Sequence, residues 1–408
     1  MKRDPETGLL VSYGPDPSDG LLDALDIFNW IESELWVVSK EGEKVPFKLN
    51  PVQTLLAQYV AHCWAQGNAV WLVIPKGRQM GISTFWKALF FAVSLHREGF
   101  LSVVMSHDEN SVSKIFRHTH SFLDSLRPEV FRPLQSRQGN YVRWDHESSI
   151  QVCSAQSGDA ALRGDKINAI HFSEVANYCD KGETKGKAGY KAGMQALVRN
   201  RRAMVVMEST AKGREAMFYA NCELARKGGT QFVLFFLPWY LMDEYSVTWE
   251  DYRAEVLTNP KADDPGEEFV PTEDEILLRA KLRDMQVSLD EVTYRHPVNL
   301  TDEQLIWRRR QIADQCLGDV EVFKREFPSF YEEAFTSTET CMFSNETLTH
   351  YRDTSRTCSA RGNVLFNDAG KPEFYTHHKG NLRVWSHPRP GSTYTIGADV
   401  ASGAPNGD

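Results

Sequence analysis

The stretch "WLVIPKGRQMGIST", residues 71 to 84, decides the fold. It starts as an apolar run and breaks into Lys76-Gly77-Arg78-Gln79-Met80-Gly81-Ile82-Ser83-Thr84, after which FWKALFFAVSL has helical character. A phosphate-binding loop reads G-x-x-x-x-G-K-[ST] between a strand and a helix. Its backbone N–H groups and the helix N-terminus cradle phosphate oxygens, and its hydroxyl reaches Mg2+. Gly81 and Ser83 match the second glycine and the hydroxyl, but Lys76 stands at the first glycine and Ile82 at the lysine. A triphosphate needs a cation beside it, and Lys76 or Arg78 can supply one from the other side of the loop. The competing reading is a strand-to-helix turn that merely needed glycine.

Around this loop the chain alternates short apolar runs with helical segments. The runs are VWLVIP (70–75), LSVVMS (101–106), SIQVCS (149–154), INAIHF (167–172), AMVVMES (203–209) and QFVLFFL (231–237). They are β-branched and mostly lack polar alternation, as strands buried on both faces do, so the expected fold is α/β with a mainly parallel sheet and flanking helices. Residues 248–300 are acidic and punctuated by proline, which reads as an exposed linker or insertion. A charged helical block follows from Leu300, and the last 45 residues return to β character with turn signals at Asn367-Asp368 and Gly380-Asn381. In the first 47 residues, LLDALDIFNWIESELWVV suggests an amphipathic helix that packs rather than binds.

Composition narrows the class. At 408 residues the chain is long enough for roughly two or three domains. With 41% apolar and 25% charged residues it has an ordinary globular composition, and no apolar run is long enough to span a bilayer. The seven cysteines are scattered without a C-x-x-C pair, so they read as free thiols rather than a zinc site. A net charge of −9 excludes a generally basic coat for nucleic acid but leaves room for a local patch. Two segments qualify: Lys181, Lys185, Lys187 and Lys191, and then Arg199, Arg201 and Arg202. Either taken alone is more simply a solvated face.

Three further segments bear on the loop. INAIHF runs into Ser173-Glu174, and a hydrophobic strand ending in an acidic pair is the second half of an ATPase site. The first acid supports Mg2+ and the second orients the attacking water; here Ser173 replaces the first. AMVVMES leads into Ser209-Thr210-Ala211-Lys212-Gly213, polar residues at the carboxyl edge of a parallel strand, where ligands of open sheets bind. Upstream, Leu49-Asn50-Pro51-Val52-Gln53 offers a glutamine amide able to pair with an adenine edge.

In this order the segments resemble the large terminase subunit of tailed bacteriophages, a DNA-packaging motor. The resemblance runs from Pro46 to the end of the chain. It rests on LNPVQ, GRQMGIST, ALRG (161–164), HFSEVA, MESTAKG, FKREFPSFYEEAF (323–335) and YTIGADVASGAPNGD (394–408). It implies a P-loop ATPase core of RecA/ASCE-like type at 48–245, a helical lid or linker subdomain at 246–340, and the first strands of an RNase H-like nuclease domain at 341–408. A basic residue early in the loop would replace the usual lysine, with Arg78 the first choice and Lys76 the second. Ser83 would bind Mg2+, and Glu174 would polarise water. Arg163 would be an arginine finger for a neighbouring subunit's ATP, and Ser209-Thr210 a segment that couples the γ-phosphate to movement. Implied partners are double-stranded DNA, the portal protein and the small terminase subunit, with a homo-oligomeric ring on the procapsid in the host cytoplasm.

For the nuclease, the resemblance places Asp399 at the end of a strand as the first metal ligand, with Asp408 an accessory carboxylate for Mg2+ or Mn2+. The remaining acids are expected beyond residue 408. The chain is therefore expected to be an incomplete part of a longer protein and unable to cut DNA alone. Two rivals stand beside the motor: a helicase-like DNA-dependent ATPase, which needs a second RecA-like unit that the region after 245 does not suggest, and a decayed P-loop scaffold, favoured by Ile82 and Ser173.

Overall fold

The computed structural model of the chain describes residues 2–3, 7, 9–11, 19–157, 162, 164–179, 183–213, 217–258, 269–284, 287–289, 292–294, 299–335, 354, 358–367, 369–377, 381–386 and 389–393. It divides into two units, Met1–Glu339 and Thr340–Asp408.

The first unit is built on eight strands: β1 (Val70–Pro75), β2 (Leu101–Ser106), β3 (Leu134–Arg137), β4 (Tyr141–Trp144), β5 (Ser149–Ser154), β6 (Ala169–Ser173), β7 (Met204–Ser209) and β8 (Val233–Leu234). Their order across the sheet is β8-β1-β7-β6-β2-β5-β4-β3. All pairs from β8 to β5 are parallel, whereas β4 and β3 form an antiparallel margin. The expected α/β class and mainly parallel sheet are thus present. Successive side chains enter opposite faces, which is why the runs lack polar alternation. Leu72, Ile74, Val104 and Val206 join one buried cluster, while Val73, Val103, Met105, Val205 and Met207 join the other.

Four helices sit early in this unit: α1 (Asp19–Glu34), α2 (Pro51–Ala65), α3 (Ile82–His96) and α4 (Glu109–Ser125). The apolar stripe of α1, with Ala24, Phe28 and Ile31 fully buried, packs beside α2 and α3. Its expected continuation through Trp36-Val37-Val38 is instead a short strand paired with Lys44–Pro46.

Later come α5 (Glu183–Ala196), α6 (Met217–Arg226), α7 (Glu273–Asp284), α8 (Asp302–Arg310) and α9 (Val320–Glu326). Trp307 of α8 stacks between Trp239 and Tyr245, with ring centroids 5.2 and 4.5 Å away. Through that stack the helices after residue 245 share the buried cluster of the sheet. Among the described residues no helix is long and apolar enough to cross a membrane.

Two parts of the sheet differ from the apolar runs of the sequence. β3 alternates half-buried with exposed positions, and β4 half-buried positions with the buried Val142 and Trp144, so their pattern lacks the apolar runs of the centre. The run 231–237 yields a strand of two residues, although Phe235 N and Leu237 N still donate to Val73 O and Pro75 O.

In the second unit, β9 (Ala360–Phe366) pairs antiparallel with β10 (Pro372–Thr376) on one side and β11 (Leu382–Val384) on the other. The Asn367 side chain accepts from the N–H groups of Ala369 and Lys371, which closes the β9–β10 turn. Asp399 and Asp408 lie outside the described residues, as does Asp368.

Candidate nucleotide site

The loop between β1 and α3 is pinned by its backbone. Lys76 N donates to Ser209 O (3.2 Å), Gly77 N to Leu237 O (3.0 Å) and Arg78 N to Glu326 O (2.9 Å). Gln79 (φ 57°) and Gly81 (φ 72°) then turn the chain into α3 through the left-handed region. At Gly81 a side chain is disfavoured on two grounds: the backbone angle, and an added Cβ lying 2.7 Å from Gln53 Nε2, which would have to shift.

The LNPVQ segment braces this turn from behind. Asn50 and Gln53 close a capping box on α2, Gln53 Nε2 donates to Gly81 O at 2.9 Å, and Asn50 Nδ2 donates to Met80 O at 3.2 Å. Met80 and Ile82 are buried in the core, so the side chain at the usual lysine position brings no charge. The first-turn N–H groups of Ile82, Ser83 and Thr84 have no acceptor within α3. They border an open cleft of about 690 Å³ that is also lined by Lys76, Arg78, His107, Glu174, Thr210 and Lys212.

A buried charge network forms the floor. Lys76 Nζ lies 3.0 Å from Glu174 Oε1 and 3.2 Å from Glu208 Oε2. Ser83 Oγ donates to Glu208 Oε1 at 2.6 Å, Ser173 Oγ donates to the same oxygen at 2.9 Å, and His171 Nε2 is 3.3 Å from it. Burial alone would lower the Lys76 ammonium, but Glu208 and Glu174 hold it well above its ordinary range. Burial alone would raise Glu208, but Lys76, His171 and Ser83 keep it well below the usual carboxylate range. The pair is therefore ionised. His171, fully buried, is pushed down by that burial and stays neutral.

Glu174 follows β6 in the left-handed region (φ 56°), a conformation uncommon outside glycine and concentrated at functional sites. The turn leaves its carboxylate partly exposed to the cleft. Ser209 Oγ lies 3.1 Å from Glu174 Oε2 and accepts from Ala176 N at 3.3 Å.

The geometry separates the two candidate cations. Lys76 is inside, among carboxylates; Arg78 is exposed, with Nη1 3.0 Å from Glu326 Oε2 on α9. Ser83, Thr84, Glu174 and Thr210 line the cleft with the loop, whereas the Gln53 amide is engaged behind it. Arg163 lies outside the described residues. Arg199 and Arg201 border a separate cleft of about 400 Å³ with Gly67 and Trp71, at the amino-terminal edge of the sheet. Six residues of strand, about 20 Å, separate that edge from the loop. Glu208 was not legible as a site residue, though one signal existed: it is the charged residue inside the apolar run AMVVMES.

No protein-family model matches the chain, and no curated protein matches it. Among solved structures it is similar to the ATPase domain of the Thermus phage P74-26 large terminase, at 20% identity, covering 55% of this chain and 95% of that one with a TM-score of 0.37. It is also similar to the HK97 bacteriophage large terminase, at 11% identity, covering 63% of this chain and 51% of that one with a TM-score of 0.41. Both are phage large terminases, the family that the sequence motifs resemble.

Proposed function

We propose that the first unit is an ATP hydrolase acting as the motor that drives double-stranded DNA into a viral procapsid. The observation that carries the hydrolase reading is the convergence of Lys76, Ser83, Glu174 and Glu208 from β1, α3, β6 and β7 beside the phosphate-type loop. The motor reading adds the order of terminase-like motifs along the chain.

The residues fit a magnesium nucleotide. Ser83 offers a hydroxyl, Glu208 an ionised carboxylate, and Ile82, Ser83 and Thr84 at the start of α3 line the cleft. When bound, Mg2+ would neutralise triphosphate charge. Lys76 holds Glu174 in place while lending its own positive charge to the loop. Glu174, partly exposed and fixed by Lys76 and Ser209, orients a water by accepting a hydrogen bond from its O–H and can take that proton as the water attacks. The loop backbone positions phosphate oxygens without needing a side chain at Ile82.

In the same reading Arg163 acts on a neighbour's nucleotide, Ser209-Thr210 relays phosphate occupancy, and 246–340 serves as a lid. Residues 341–408 would open a nuclease domain in which Asp399 and Asp408 bind Mg2+ or Mn2+. A ring of identical subunits, docked on a portal protein and served by a small terminase subunit, would complete the machine. Phosphate release from ATP, measured with and without double-stranded DNA while oligomer size is recorded, tests this. Release stimulated by DNA supports the motor; no release under any condition leaves a non-hydrolysing scaffold.

A further inference from the structure

We propose that Glu208 is the carboxylate that holds the divalent cation of this site, a role displaced by one strand from position 173. The proposal rests on the ATP-hydrolase reading above. At the end of β6 a serine stands where an acid was expected, so that strand brings no carboxylate beside Ser83. The parallel register pairs Ser173 directly with Glu208 on β7. From there the glutamate reaches Ser83: Glu208 Oε1 accepts from Ser83 Oγ at 2.6 Å and from Ser173 Oγ at 2.9 Å. Serine at 173 thus does two things: it makes room for the neighbour's carboxylate and fixes that carboxylate's orientation.

A structural role alone explains this poorly. Glu208 is wholly buried in a strand whose other residues from Met204 to Met207 are apolar, and its Oε2 lacks an aligned hydrogen bond although Lys76 Nζ is 3.2 Å away. A carboxylate is costly to bury even when ion-paired, and this one stands against the hydroxyl that the loop offers to a cation. Mg2+ takes hard oxygen ligands, keeps several waters, and typically draws on one or two protein carboxylates plus phosphate oxygens. One serine hydroxyl and one ionised glutamate meet that need.

The test titrates Mn2+, as a paramagnetic stand-in for Mg2+, into the full chain with and without ADP and follows free Mn2+ by electron paramagnetic resonance. ADP affinity is measured separately in EDTA. Glu208→Gln should weaken Mn2+ binding about 10- to 100-fold, the range typical when groups supporting a metal site are removed. That loss should exceed any change in ADP affinity measured in EDTA, because Glu208 also pairs with Lys76 of the loop. The double variant Ser173→Asp with Glu208→Ser, which moves the acid back to β6, should recover most of the Mn2+ affinity. Wild-type Mn2+ affinity in Glu208→Gln overturns the proposal while leaving the hydrolase reading intact. Failure of the wild-type chain to bind ADP at all overturns that reading, and the proposal with it. Should the glutamine variant not fold, Glu208→Asp serves: the shorter acid withdraws from Ser83, and unchanged Mn2+ affinity there is equally fatal.

Discussion

Lys76 Nζ lies 3.0 Å from Glu174 Oε1, joining the start of the phosphate-type loop to the end of β6 across 98 residues of sequence. Lys76 is thereby the shared counter-ion of Glu174 and of the buried Glu208, and in the proposed reading it is also the loop cation. Arg78, two residues on, instead ties the loop to Glu326 at the surface.

Lys76→Ala should therefore abolish measurable nucleotide binding and also destabilise the fold, by about 3–5 kcal/mol, because Glu208 keeps a buried charge without its cation. Arg78→Ala should cost little stability, since its ion pair is solvent-exposed and worth less than about 1 kcal/mol. Calorimetric nucleotide affinities with chemical denaturation on both variants decide the matter. Stronger loss of affinity in the arginine variant would return the loop cation to Arg78.

Glu174→Gln should keep nucleotide affinity and lose at least about 100-fold in turnover, the usual scale of a positioned proton acceptor. Ser209→Ala should lose less, since it removes only one hydrogen-bonding neighbour of that carboxylate. Single-turnover hydrolysis beside equilibrium binding separates the two effects. Wild-type turnover in the glutamine variant would take Glu174 out of the reaction.

The sheet was legible because strands buried on both faces need unbroken apolar runs, and those at 70–75, 101–106 and 149–154 match β1, β2 and β5. The antiparallel margin was not, because half-exposed strands dilute that pattern. In the site, local spacing located the loop and Glu174. It could not reveal Glu208, whose meaning depends on lying opposite Ser173, a relationship made by β6–β7 pairing across 35 residues. Nor could it show that Lys76 lies inside and Arg78 outside, since both are basic residues of one loop and only the fold turns one inward.

Lys87, one turn after Ser83 on α3, gives a pH signature. Burial pushes its ammonium down to about 8, against a partial lift from Glu208. Between about 8 and about 10.4 the unfolded chain therefore binds the extra proton, so this group makes stability rise with pH across that window. Lys87→Met should stabilise the protein at pH 7 by roughly 3 kcal/mol, a gain that fades to nothing by about pH 10.4. Buried thiols such as Cys153, raised by burial to about 12, act oppositely, losing stability as pH climbs past the ordinary thiol range. The readout is accordingly the variant-minus-wild-type difference from denaturant melts at several pH values. A difference independent of pH would show that Lys87 ionises alike in both states.

Gln53 offers the sharpest division between support and recognition. Its Oε1 accepts from Asn50 N at 3.0 Å and its Nε2 donates to Gly81 O at 2.9 Å, so the amide already joins a helix cap to the loop. Gln53→Ala should cost about 1 kcal/mol through the lost cap. It should also weaken ATP and GTP to the same degree, because a loosened loop misplaces phosphates whatever the base. Gly81→Ala should act in the same direction but more strongly, since its left-handed backbone costs a side-chain-bearing residue about 1–2 kcal/mol. Competition of ATP against GTP on wild type and Gln53→Ala measures the point. Equal loss for both nucleotides assigns Gln53 to the loop, whereas selective loss of ATP means that the amide turns from Gly81 to read the adenine edge.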